Sequence, residues 1–153
     1  MSLPKTGGRG AAVVMVCYDP VGNPTVYTNW CGAKNFSLSI DNEIQSEKVG
    51  DCEDWSAPVV TVKEYSGQNI TATMEATWTS ATHKETSAWA LEQKKLPVRI
   101  HFPAAAVGEV EYYDGLAMLQ NLTLGEIGSV EGNKITETIN LDFDGSISVT
   151  AKA

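Results

Sequence analysis

Apolar positions recur along this chain mostly at every second residue. AAVVMVCY (11–18) is a continuous apolar run of strand length, DPVGNP (19–24) is dense in turn formers, and TVYTNWC (25–31) resumes the strand pattern, which predicts a hairpin. NFSLSIDNEI (35–44) alternates strictly, with Phe36, Leu38, Ile40 and Ile44 on one face and Asn35, Ser37, Ser39, Asp41 and Glu43 on the other. VVTVKEY (59–65) reads as a strand ended by a turn at Gly67. NITATMEATWT (69–79) then sets Ile70, Ala72, Met74, Ala76 and Trp78 against Thr71, Thr73, Glu75 and Thr77. In LPVRIHF (96–102), Val98, Ile100 and Phe102 face in, while Arg99 and His101 face out. GEVEYYDGLAMLQNLTLG (108–125) is a long strand region with a bend expected at Gly115. In KITETINLDFD (134–144), Ile135, Ile139, Leu141 and Phe143 oppose Thr136, Thr138, Asn140 and Asp142. SISVTAKA (146–153) is a last strand or an extended tail.

The period changes once. SATHKETSAWALEQKK (80–95) predicts a helix at about 82–94. Thr82 and Glu85 form a capping box, Ala88 and Leu91 share a face, Trp89 packs inward, and Lys94 and Lys95 complement the C-terminal dipole. About eight strands and one helix make a mainly β domain, a β-sandwich or barrel with one flanking helix. It spans 11–153 as a single unit, after a flexible, Gly-rich N-terminal arm at 1–10 that carries Lys5 and Arg9.

One segment fits neither period. DNEIQSEKVGDCEDWSAP (41–58) holds Asp41, Glu43, Glu47, Asp51, Glu53 and Asp54 against the single base Lys48, together with Cys52 and Trp55. Such a stretch reads as a long loop that no core absorbs, and long loops inside compact domains are usually functional or disordered.

The chain has 153 residues, 42% hydrophobic and 20% charged, enough for one globular core. Its net charge of −8 argues against a surface that grips nucleic-acid backbone, which needs clustered Lys and Arg. No apolar run reaches membrane-spanning length, and MSLPKTGGRG lacks a signal core, so neither a membrane span nor export is expected. Cys17, Cys31 and Cys52 have no metal-ligand spacing. Two or more read as buried inert thiols, and the exposure expected of Cys52 in the acidic segment leaves a disulfide to a neighbouring subunit as the alternative. His83 and His101 stand on separate elements, and there is no phosphate loop or nucleophile elbow. Asp51, Glu53 and Asp54 lack the Gly and terminal Glu of a calcium loop. No catalytic residue, metal site or cofactor is expected.

Strands 35–43, 69–77 and 136–142 share a property: their outer faces hold only small polar or acidic side chains, with no Lys or Arg. Solvated sheets usually mix both signs. The order of features is a polar arm, a hairpin, an alternating strand, an acidic segment ending in Asp54-Trp55, and a second alternating strand ending in Trp78. One helix, VRIHFP (98–103), YYDGLAMLQNLTLGE (112–126) and KITETINLDFDGSISVTA follow. From about residue 11 to 151 this resembles the tail tube proteins of long-tailed bacteriophages and gene transfer agents.

The resemblance implies a structural virion protein that self-assembles into stacked hexameric rings. Each subunit would add strands to a continuous inner β-barrel around the DNA channel. Residues 41–58 would then be the inter-ring stacking loop (Asp41, Glu43, Glu47, Asp51, Cys52, Glu53, Asp54, Trp55), ordering only on docking, and Lys5 and Arg9 would lie in an arm that contacts neighbours. The lumen would be lined by Ser37, Ser39, Asp41, Glu43, Thr71, Thr73, Glu75, Thr77, Thr138, Asn140 and Asp142. Implied partners are a tail tip or baseplate initiator, a tape measure protein and a tail terminator, with DNA passing through unbound. The implied location is the virion tail, assembled in the host bacterial cytoplasm. The alternative from the residues themselves is a β-sandwich recognition module, binding carbohydrate or protein through Trp30, Trp55, Tyr112 and Tyr113.

Overall fold

The computed structural model describes residue 7, residues 11–30 and residues 32–153, apart from the side chain of residue 81. The N-terminal arm with Lys5 and Arg9, and Cys31, lie outside the described residues. The elements are β1 (Val13–Val16), β2 (Thr28–Asn29), β3 (Ala33–Val49), β4 (Val60–Thr77), α1 (Ser80–Glu92), β5 (Lys95–His101), β6 (Val110–Gly125) and β7 (Thr136–Ala151). All seven strands join one antiparallel sheet in the order β2-β1-β5-β6-β7-β4-β3.

That single sheet curls over on itself. The Trp30 amide donates to the Val14 carbonyl at one end of the strand order, and the Gly32 carbonyl accepts from the Thr77 amide at the other. Consecutive Cα atoms are about 3.8 Å apart, so the two ends of the sheet approach within about 8 Å there. Gly32 permits the turn: its φ is +83°, and a Cβ would stand 2.3 Å from the Thr77 carbonyl oxygen. The curl creates two layers that share β6 and β7. One comprises β2, β1 and β5 with the first half of β6 and the second half of β7. The other comprises β3 and β4 with β6 residues 119–125 and β7 residues 136–142. The expected sandwich or barrel is therefore one folded hydrogen-bonded sheet.

Between the layers lies the core. Val16, Leu96 and Val98 come from the first layer, Ile70, Ala72, Met74 and Ala76 from the second, and Ala117, Ile139, Leu141 and Phe143 from the shared strands. The bend expected at Gly115 is a register shift between Asp114 and Leu116. A Cβ at Gly115 would sit 2.6 Å from Cδ1 of Phe143, so only glycine lets that ring close over the strand.

The helix differs from its expected form. It begins at Ser80 after Thr79, whose side chain makes no cap bond to the backbone, so the Thr82–Glu85 box does not form. Its inward face is Thr82, Thr86 and Trp89, while Leu91 is 84% exposed. Gln93 adopts a left-handed conformation that ends the helix, so Lys94 and Lys95 fall beyond the last turn. Trp89 packs 5.8 Å from the Trp30 ring and donates its Nε1 hydrogen to the Lys94 carbonyl at 2.9 Å. Trp78, expected inward, is half-buried and packs against His83 at 5.2 Å.

Of residues 41–58, expected as one long loop, 41–49 are strand and only 50–58 remain a connection. β3 continues to Val49 and pairs with β4 from Val60 onward, with partners running from Asp41↔Asn69 to Val49↔Val60. Gly67 lies within β4, beside a register shift at Glu43/Ile44 rather than in a turn. β4 meets β7 only between Thr71 and Thr77, so among the described residues the hairpin leaves the sheet beyond Asp41 and pairs only with itself. At about 3.3 Å per residue the extension is about 30 Å long.

Candidate functional site

Cross-strand register brings the small polar residues together. Asn35, Glu75, Thr138 and Thr123 form one row across β3, β4, β7 and β6, and Ser37, Thr73, Asn140 and Asn121 form the next. Ser39, Thr71, Asp142 and Met118 form the third, with Thr77 beside Thr136 at one end and Asp41 and Glu43 beside Asn69 and Gly67 at the other. Paired residues share a face, so all eleven residues expected on a common surface, from Ser37 to Asp142, do occupy one. None of these positions holds Lys or Arg. The polar groups bond laterally: Thr73 Oγ1 to Asn140 Oδ1 at 3.1 Å, Asn35 Nδ2 to Glu75 Oε2 at 3.4 Å, and Thr123 Oγ1 to Asn121 Oδ1 at 2.8 Å.

The four strands carrying this face have open margins. Among the described residues, β3 has no strand partner on its outer side along its full length. β5 pairs with β6 only from Tyr112 to Met118, which leaves β6 residues 119–125 without a partner on that side among the described residues. Exposed backbone edges of this kind are templates for another chain.

The tip of the hairpin extension is an ordered turn. Asp51 Oδ1 accepts the amides of Glu53 (2.8 Å) and Asp54 (3.2 Å), and Asp54 Oδ1 accepts the Ser56 hydroxyl (2.6 Å) and amide (3.0 Å). The two amide bonds hold the Asp51 carboxyl below its ordinary pKa, and the Ser56 hydroxyl, then its amide, do the same for Asp54. Trp55 beside them is 92% exposed, and Cys52 is an exposed free thiol. The acidic groups at 41–58 thus ride on the end of β3 and on the turn at the hairpin's tip.

Two features escaped the sequence pattern. Arg99 lies between the rings of Tyr27 (4.0 Å) and Tyr112 (4.2 Å), and its Nε donates to Asp114 at 2.6 Å. This cluster is on the side of the first layer away from the core. Burial raises the Tyr27 pKa, opposed by the Arg99 charge, and a bond to Glu111 raises that of Tyr112. Strand alternation pointed Arg99 outward, but nothing in the spacing linked it to Tyr27. Glu137 is the second. It is buried, and desolvation raises its pKa against the opposing influence of His83. Its place between Ile135 and Ile139 was the available signal.

The four candidate aromatics do not make one platform. Trp30 is buried against Trp89, Trp55 stands at the far tip, and Tyr112 and Tyr113 are neighbours pointing to opposite faces of β6. Tyr112 stacks on His101, and Tyr113 meets Phe102 edge to face. No group of three or more potential metal ligands occurs among the described residues, and no helix is long and apolar enough to cross a membrane.

No family sequence model matches the chain, and no curated protein matches it. Solved structures do. The tail of an empty gene transfer agent particle, refined with C6 symmetry, superposes with a TM-score of 0.71 at 12% identity, over 95% of this chain and 100% of that one. The SPP1 tail tube gives 0.63 at 10% identity, over 93% and 77%. The baseplate of the anti-feeding prophage, sixfold symmetrised, gives 0.64 at 12%, over 99% and 98%. The fold is the one shared by these tail and tube structures.

Proposed function

We propose that the chain is a structural tail tube protein whose copies form hexameric rings stacked into a conduit for DNA. The observation that carries the reading is the four-stranded patch with an acid-only face and an open edge on each side. Its strands alternate in direction in the order β3, β4, β7, β6. A neighbour's β3 laid along β6 residues 119–125 is antiparallel to it, so copies can join side by side without breaking the alternation. Closure into a ring removes every such edge. The C6 symmetry of the gene transfer agent tail supports six copies.

The dimensions fit. Six copies of four strands give about 24 strands. At a spacing of about 4.8 Å and a tilt of about 40°, the barrel is about 48 Å across between backbones. Side chains narrow this to a channel that still admits a duplex. The first layer and α1 then form the outer coat, and the lining carries Asp41, Glu75 and Asp142 with Ser, Thr and Asn. Phosphate binding requires fixed cations that displace counterions, and a lining without them lets DNA pass unbound.

In this reading the hairpin extension reaches the adjacent ring, Lys5 and Arg9 belong to an arm that contacts neighbours, and an initiator, a tape measure protein and a terminator set where the tube starts and stops. The protein resides in the virion tail and assembles in the host cytoplasm. Negative-stain microscopy of concentrated purified protein tests the reading: rings or tubes are expected. A monomer at every concentration and salt would refute it.

A further inference from the structure

The two faces of the hairpin extension differ in charge, and each leaves apolar groups uncovered. One face carries Ile44, Lys48, Lys63 and Tyr65 and no carboxylate. The other carries Glu47, Glu64, Val49 and Val60 and no base. Ile44 is 60% and Tyr65 78% exposed on the first face, and Val60 is 65% exposed on the second. The charged pairs also match in spacing. Lys63 stands opposite Ser46, two residues from Lys48, and Glu64 stands opposite Gln45, two residues from Glu47. Both pairs are therefore diagonal neighbours about 7–8 Å apart.

Among the described residues nothing covers either face. A two-stranded hairpin is marginal in water on its own, and like charges on neighbouring strands oppose it further. We infer that the lysine face of one copy's extension packs on the carboxylate face of another copy's extension. Stacked at about 10 Å, the valines and Ile44 with Tyr65 exclude water, and two lysines meet two glutamates at the same spacing. Like faces in contact would instead set lysines against lysines and carboxylates against carboxylates, which electrostatic complementarity forbids. The contact is heterologous: a joined pair keeps one free face of each kind, one on each copy, so contacts propagate instead of ending at a dimer. The inference rests on the tube reading, in which extensions of different copies come together.

Two variants test it. Lys48→Glu with Lys63→Glu leaves both faces acidic, and Glu47→Lys with Glu64→Lys leaves both basic. Each should remain a folded monomer by circular dichroism and sedimentation, because all four positions are exposed. Mixed in equal amounts, the two restore complementary contacts, and pelletable polymer should rise at least about tenfold over either alone, falling again near 0.5 M salt. Assembly of either variant at the wild-type level would overturn the inference. So would a mixture that stays unassembled while the wild type polymerises, and the tube reading would survive that result. A wild type that never polymerises removes both.

Discussion

Residues 43–67 can be replaced by Asn-Gly, because Asn42 pairs with Gln68 and a two-residue turn of that sequence closes an antiparallel pair. The replacement removes the hairpin extension and leaves every buried residue in place, since none lies between 31 and 69. The extension's own pairing adds little, as isolated two-stranded hairpins are near neutral in stability. Shortening the connection from about 25 residues to about 2 lowers closure entropy by (3/2)RT ln 12.5, about 2 kcal/mol in favour of folding. The monomer should therefore unfold at an unchanged temperature or up to about 4–8 °C higher. Assembly should vanish in the same preparation, as read by microscopy and sedimentation. A loss of more than about 3 kcal/mol in denaturant titration would mean that the extension supports the core. A stable variant that still forms tubes would mean that it does not join copies.

Trp89→Ala should lower stability by about 3–5 kcal/mol, measured as the denaturant midpoint, because the ring is fully buried between helix and sheet. Trp78→Ala, at a half-buried site, should shift it less. Glu137 has a raised folded pKa, so it binds protons more readily folded than unfolded, and its penalty appears as pH rises through that range. Glu137→Gln should thus be more stable than wild type at pH 7, with the difference closing below about pH 4 in thermal melts. Glu75→Lys with Asp142→Lys should leave the monomer fold intact, since neither side chain enters the core. Particles built from it should eject DNA slowly, with recovery as salt rises. Wild-type ejection kinetics would show that these residues do not face DNA.

The strands were legible wherever one face was buried and the other wet. From Ile70 to Ala76 and Ile139 to Phe143 the alternation named the core positions, and it also named the shared polar face. It failed where both faces are exposed. From Gln45 to Val49 polar residues occupy both sides and no period appears, so the end of a strand read as a loop, while Ile40 and Ile44, set on one apolar face, lie where the core does not reach them. The helix failed for another reason. Its buried face begins with Thr82 and Thr86, which carry no apolar signal, so Ala88 and Leu91 marked a side that faces water. Pairing across distant strands, as between Arg99 and Tyr27, leaves no trace in spacing at all.

β6 and β7 pass through both layers without a break, turning at Gly115 and at the register shifts beside it. In a tube, the lining and the coat would therefore be joined by two continuous backbones per subunit rather than by side-chain contacts alone. A sideways load on the coat would have to stretch covalent chain before the layers could slide. Bending would concentrate instead at the contacts between copies, so such a tube would behave as stiff segments in series, with its compliance located at the joints.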